Sequence, residues 1–179
     1  AVTLHEAAHG WVAWKLGDAT AYARGRVTFN PLKHVDPFGT VVLPLLLFLS
    51  QAPFLFGYAR PVPVNFRALG KPRRDMVLVA LAGPGINLGL ALLAAILLRG
   101  LLAVDAEQLE WVMRNLANAM VINVILAVFN MLPIPPLDGG RVAVGLLPRP
   151  LARPLARLER YGLFILIGLL LLLPWLGSK

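Results

Sequence analysis

Two histidines and a glutamate near the start of the chain could bind and use a metal ion. His5, Glu6 and His9 stand in the pattern His-Glu-x-x-His within an otherwise apolar stretch. Residues four apart on a helix project from one face, so both imidazoles can reach a single ion. Glu6 could take a proton from a water molecule at the open coordination position. The spacing is typical of zinc peptidases.

The alternative is that these residues are polar positions on a solvated helix face. That interpretation fits poorly, because the neighbouring residues leave the helix almost no polar side: Ala7, Ala8, Trp11, Val12, Ala13 and Trp14. We therefore expect the histidines to face protein and a metal ion.

A third ligand must come from elsewhere in the chain. There is no cysteine, so only His, Asp or Glu remain. His34 lies in a polar loop and is expected to be solvated, and most acids lie in or beside loops. Asp138 differs, because it stands between Pro-Pro-Leu and Gly-Gly at the end of an apolar segment. It could ligate the metal, cap a helix that begins at Gly139, or do both.

The composition indicates an integral membrane protein. Of 179 residues, 58% are hydrophobic and 15% are charged, whereas a soluble domain carries about a quarter charged residues. The mean hydropathy is +0.72. The net charge is +8, and the basic residues lie in loops between apolar segments. This distribution is typical of loops that set membrane topology and contact anionic lipid headgroups, and it excludes nucleic acid as the partner.

The apolar segments predict an all-α polytopic membrane protein with about four transmembrane helices, a re-entrant apolar segment and a small membrane-associated β-element. The chain begins without methionine inside a helix, so we expect a single domain over residues 1–179 that is truncated at its N-terminus. The expected segments are a helix at 1–17, the β-element or loop at 18–38, a re-entrant segment or short span with a basic loop at 39–74, spans at 75–102, 111–132 and 161–176, and a Pro-rich segment at 133–147.

Two of these segments can each be interpreted in two ways. Residues 23–31 alternate polar and apolar side chains, which favours a strand or hairpin, but an irregular basic loop on the headgroups fits equally. Residues 39–56 contain Pro44 and Pro53 and have basic flanks on both sides. Cytoplasmic loops collect Lys and Arg, which favours re-entry over a full crossing.

Asparagines within the spans form a further set of candidates. Asn87 lies in a stretch of small residues beside Pro84, and it should face protein, either for chemistry or for an interhelical hydrogen bond. Asn123 and Asn130 are seven apart and share a helix face.

Three motifs together resemble the site-2 protease family of intramembrane zinc metalloproteases. They are His-Glu-x-x-His-Gly at 5–10, Ala-Gly-Pro-Gly-Ile-Asn at 82–87 and Asn-x-x-Pro-x-Pro-x-Leu-Asp-Gly-Gly at 130–140. They occur in the family's order, and the chain is most similar to minimal bacterial members without a PDZ domain.

The resemblance implies a site and a mechanism. It implies that His5, His9 and Asp138 bind Zn²⁺, that Glu6 is the catalytic acid and base, and that Asn130 binds substrate or stabilises the oxyanion. It also implies that the stretch 24–30 guides an extended substrate. The residues assigned to substrate binding are Asn87, Asn123, Arg26, Val27 and Thr28.

The expected function is hydrolysis of a peptide bond in or near a transmembrane segment of a membrane protein, as in regulated intramembrane proteolysis. The expected location is the bacterial cytoplasmic membrane, with the site nearer the cytoplasmic side. The partners are the lipid bilayer and the substrate; the oligomeric state is open. The alternatives are a catalytically inactive zinc-binding scaffold and a metal transporter.

Overall fold

The computed structural model describes residues 1–51, 57–103 and 109–162, together with positions 164, 165 and 168. These residues form helices and irregular segments, with no β-strand among them. The α-helices are α1 (Val2–Lys15), α2 (Thr20–Ala23), α3 (Leu43–Leu49), α4 (Pro72–Ala103), α5 (Glu110–Asn130), α6 (Asp138–Leu146) and α7 (Arg149–Leu158). A π-helical turn at Pro37–Val42 leads into α3, and 3-10 turns occupy Pro31–His34 and Glu159–Tyr161.

Two helices, α4 and α5, are long and apolar enough to cross a membrane. They contain 32 and 21 residues, and only 17% and 11% of their most apolar windows is buried. The core helix of a soluble protein would bury this surface, so the outward apolar faces are suited to lipid. They occupy the positions of the spans predicted at 75–102 and 111–132. The predicted span at 161–176 falls mostly outside the described residues.

Helix α4 is the central element, because α1, α5 and α6 all pack against it. Its buried positions are mostly small, including Ala80, Gly83, Ala91 and Ala94. Small side chains let neighbouring helix backbones approach closely. The helix continues through Pro84. Because α1 and α6 both pack against α4, residues of these two helices are brought together.

The predicted β-element at 18–38 is wrong. The segment consists of α2 followed by turns, with Gly25 at φ +61° and a hydrogen bond from Arg26 N to Ala21 O at 2.9 Å. A strand requires a second extended segment beside it, and none of the described residues supplies one. The alternating side chains therefore line an irregular loop, which is the alternative interpretation.

The chain enters and leaves the following apolar segment, 39–56, at neighbouring positions. Helical residues Pro37–Leu49 are too few to be a candidate span. Tyr58 N donates to Gly39 O at 3.0 Å, and the Thr40 hydroxyl donates to Tyr58 O at 2.9 Å. The two ends of the segment therefore lie side by side.

Asp18 joins the end of α1 to the return loop. Its buried carboxylate accepts hydrogen bonds from Thr20 N at 2.9 Å, from the Thr20 hydroxyl and from Asn65 N at 2.6 Å. Burial raises the pKa of Asp18, but these donors stabilise the anion more, and the net pKa is lowered. The loop at 65–70 is thereby held against the end of α1.

Candidate metal centre

His9 is fixed by the backbone of α4. Its side chain is buried, and Nδ1 lies 2.6 Å from Val79 O. A carbonyl oxygen can only accept, so Nδ1 carries the proton and Nε2 presents a lone pair. That lone pair points to the His5 imidazole, whose Nε2 is 3.0 Å away.

His5 is backed by Asn87. The Asn87 amide is fully buried, its Nδ2 lies 3.3 Å from His5 Nδ1, and its Oδ1 has no partner within the described ranges. Amide nitrogen and oxygen exchange places by a half-turn of the side chain. With Oδ1 toward His5, the amide accepts the Nδ1 proton, and His5 Nε2 then presents a lone pair as His9 does.

Asp138 completes a triangle with the two histidines. Its Oδ2 lies 3.0 Å from His5 Nε2 and 3.3 Å from His9 Nε2, and all three side chains are buried. Helix α6 begins at Asp138, directly after its N-cap residue Leu137. The Asp138 carboxylate faces the two imidazoles.

Three lone-pair donors this close repel one another unless a cation lies between them. Asp138 Oδ2 is buried without a hydrogen-bond donor among the residues described. Ligand atoms bonded to a tetrahedral zinc ion at its usual distances are about 3.4 Å apart, close to the 3.0 to 3.3 Å found here. The donor set of two imidazoles and one carboxylate therefore fits zinc.

Glycines make room for this triangle. A Cβ at Gly83 would overlap His9 Nε2 and the His5 ring, and a Cβ at Gly139 would overlap the Met131 carbonyl. Gly83 thus keeps α4 out of the space between the ligands. Gly139 lets α6 start directly against the Pro-rich segment, which turns Asp138 inward.

Glu6 is held by a residue that sequence reasoning missed. Its Oε2 accepts a hydrogen bond from Val62 N at 2.8 Å. Val62 is buried and lies between Pro61 and Pro63, which have no N–H and restrict the backbone to extended conformations. In Pro61-Val62-Pro63, only Val62 has a backbone N–H that can donate a hydrogen bond. This pattern is the sequence signal that could have identified Val62.

The predicted asparagines of α5 bond within their own helix. Asn130 Nδ2 donates to Leu126 O at 2.9 Å, and Asn123 Nδ2 donates to Ala119 O at 2.8 Å. Neither amide is hydrogen-bonded to the histidine triangle. Their roles toward substrate stay predictions.

The loop predicted to guide substrate borders α1. Val27 and Thr28 line a cavity of about 520 Å³ together with Leu4, Ala8 and Trp11 of α1 and Ile86 of α4. Arg26 is turned elsewhere, and its Nη2 donates to Arg60 O at 2.7 Å. The predicted solvation of His34 is wrong, because its side chain is buried. Its Nε2 donates to Thr28 O at 3.1 Å, and this hydrogen bond stabilises the loop.

Comparison with known proteins places the chain in a family. The family model described as "Peptidase family M50" matches residues 100–173. The chain is 44% identical over 180 residues to "Putative zinc metalloprotease YwhC" of Bacillus subtilis, covering 98% of this chain and 78% of the relative.

Two mycobacterial relatives are more distant. Each is named "Putative zinc metalloprotease Rip2": that of Mycolicibacterium smegmatis is 34% identical over 97% of this chain, and that of Mycobacterium tuberculosis is 32% identical over 94%. The chain spans 64% and 62% of their lengths. No solved structure matches the chain significantly. On the similarity to YwhC, which extends over nearly the whole chain, this protein belongs to peptidase family M50, the membrane-embedded site-2 protease family of metallopeptidases.

Proposed function

We propose that this protein is an intramembrane zinc metalloprotease that cleaves a membrane protein in or near a transmembrane segment. The observation that carries the proposal is the meeting of His5, His9 and Asp138 within 4.8 Å of one another, all buried. Two of these residues come from α1 and the third from α6, more than a hundred residues later. A shared metal ion accounts for the convergence of these three groups in a buried place.

The three residues would hold zinc and leave a position for water. When bound, zinc polarises the scissile carbonyl and lowers the pKa of a water molecule. Val79 and Asn87 supply the acceptors that hold His9 and His5 in the ligating tautomers. Such outer partners orient ligands in metal sites generally.

Glu6 is the general base and acid of the proposed reaction. It takes the proton of the attacking water and passes it to the leaving amine. The Val62 N–H holds Oε2, so Oε1 remains free for the water. Glu6 is not needed to hold metal, so its presence beside His5 favours a protease over an inactive zinc-binding scaffold. A metal transporter would need further polar ligands along a path, and the remaining polar residues of the spans are mostly asparagines.

Substrate binding is assigned to groups around the triangle. The cavity beside Val27 and Thr28 is lined almost entirely by apolar side chains, and it suits the side chains of an unwound transmembrane segment. Asn130 would donate to the developing oxyanion after its amide leaves Leu126 O. Asn123 and Arg26 would contact substrate farther out, and Asn87 would act through His5.

The proposed topology has four crossings and one re-entrant segment. Helices α4 and α5 supply two crossings, and α1 and the last apolar segment supply the others. Gly70 N donates to Leu16 O at 3.1 Å and Asn65 N donates to Asp18. These bonds join the two flanks of the segment 39–56, which supports re-entry, and the basic flanks favour the cytoplasmic side of a bacterial membrane.

The test is cleavage of a model transmembrane substrate in proteoliposomes by the wild type, Glu6→Gln and the control Glu110→Gln. We expect Glu6→Gln to retain zinc, measured by elemental analysis, and to lose cleavage. Glu110 is exposed and pairs with Arg114 at 2.5 Å, so its replacement should leave cleavage unchanged. Equal cleavage by Glu6→Gln and wild type would refute the role of Glu6, and zinc uptake into vesicles without cleavage would favour a transporter.

A further inference from the structure

Helix α7 has two opposed faces that the proteolytic site does not use. At 100° per residue, Arg149, Arg153 and Arg157 fall on one face, and Leu151, Leu155 and Leu158 fall on the opposite one. Ala152 lies between the two faces and is buried, where α7 packs against α6. The helix is therefore attached along one edge, with its basic and apolar faces both turned outward.

The apolar face is left largely uncovered by the part of the chain that the structure describes. Leu151 is 58% exposed and Leu158 is 44% exposed, and Leu155 is half-buried. A row of leucines turned outward on a short helix is unfavourable in water. The face therefore belongs in an apolar medium.

The basic face has no carboxylate partner among the described residues. All three arginines are exposed, and none forms an ion pair with a described residue. The nearby acid, Glu159, pairs instead with Arg141 of α6 at 2.8 Å. Three positive charges on adjacent turns are thus available to an anionic ligand.

We propose that α7 lies in the membrane surface and binds anionic phospholipids, with its leucines in the acyl-chain boundary and its arginines on the phosphates. A helix with a cationic polar face and a leucine face has this character, and each basic residue near an anionic surface adds to the attraction. A polyanion such as nucleic acid would satisfy the arginines but leave the leucines in water. This binding is independent of whether the protease reaction proceeds as proposed.

The first test measures headgroup preference in the reconstituted protein. Spin-labelled phosphatidylglycerol and phosphatidylcholine are compared for their association with the wild type, with Arg149→Gln/Arg153→Gln/Arg157→Gln, and with the control Arg24→Gln/Arg67→Gln/Arg74→Gln. The control removes the same charge from exposed positions outside α7. We expect the preference for phosphatidylglycerol to fall about threefold or more in the α7 variant and by clearly less in the control, whose cations have no leucine face beside them. An equal fall in both variants, or no fall in the α7 variant, would overturn the proposal.

The second test measures the depth of each face. The chain has no cysteine, so single spin labels can be attached after Leu151→Cys, Leu155→Cys, Arg153→Cys or Arg157→Cys in otherwise unaltered protein. In phosphatidylglycerol-containing vesicles, labels at 151 and 155 should be accessible to oxygen, and labels at 153 and 157 to a water-soluble nickel chelate. Equal exposure of all four to the chelate would show that α7 is solvated and would refute the assignment.

Discussion

At the scale of residues, the metal triangle depends on groups that bind no metal. The Val79 carbonyl and the Asn87 amide set the tautomers of His9 and His5, and Gly83 leaves the space between them. The Val62 N–H orients Glu6. The contributions of Gly83, Asn87 and Val62 can each be removed by one substitution, and each substitution should have its own effect on zinc binding or turnover.

Gly83→Ala should abolish zinc binding. The added methyl would occupy the space between His5 and His9, and both imidazoles would have to turn away. Gly85→Ala is the matched control on the same helix, since a Cβ there meets nothing within 4 Å. Zinc content after purification is the measurement, and a zinc-replete, active Gly83→Ala protein would contradict the geometry.

Asn87→Leu should weaken zinc binding about 10-fold to 100-fold, as loss of such an outer partner does in other metal sites. The His5 Nδ1 proton would lose its buried acceptor. Asn87→Asp keeps an acceptor oxygen at the same place and should retain zinc. Affinity is measured by competition with a chelator, and equal affinities of the Leu and Asp variants would show that Asn87 only fills space.

Val62→Pro should lower kcat about tenfold or more without changing zinc content, because hydrogen bonds to charged groups contribute about 1.5–3 kcal/mol. Proline removes the N–H from a segment whose neighbours are already proline. Val62→Ala keeps the N–H and controls for lost packing. A Val62→Ala protein as slow as Val62→Pro would mean that the side chain, not the N–H, matters.

The residues of the site differ in how far sequence reveals them. His5, Glu6 and His9 lie on one helix, so their spacing alone predicts their meeting. Asp138 was predictable from its flanking Pro and Gly residues and the shortage of other ligands. The sequence marks Val62 as the lone N–H donor between two prolines and Gly83 as part of a small-residue stretch, but their contacts with Glu6 and the histidines arise only when the return loop and α4 pack on α1.

At the scale of elements, the apolar helices were predictable and the polar connections were not. Helices α4 and α5 follow from long apolar runs that no other structure satisfies. The alternation at 23–31 fits a strand and an irregular loop equally, because alternation is a local pattern, whereas a strand depends on a partner elsewhere. Here the loop is stabilised by a hydrogen bond within it, from His34 to Thr28, and by the tertiary contact of Asp18 with Asn65.

Asp18→Asn should destabilise the junction between α1 and the return loop in a pH-dependent way. The pKa of Asp18 is lower in the folded state than in the unfolded state. Its contribution to the free energy of unfolding is therefore fully present above the unfolded pKa of about 3.9 and is lost as pH falls through the folded pKa. The wild type should therefore unfold at a higher temperature than Asp18→Asn at pH 7, with a smaller difference near pH 3. Thermal unfolding in detergent at both pH values is the measurement, and a pH-independent difference would contradict the charged hydrogen bonds.

At the scale of the whole molecule, the order of apolar and basic segments carries the topology. The flanks of residues 39–56 meet through Gly70 and Leu16, which supports the proposal that this segment re-enters rather than crosses. Labelling of single cysteines tests this in oriented membranes. Ala19→Cys and Ala68→Cys lie at exposed positions on the two flanks, and Glu110→Cys lies at the start of α5. An impermeant maleimide should reach the first two from one side and the third from the other, and labelling of 19 and 68 from opposite sides would establish a full crossing instead.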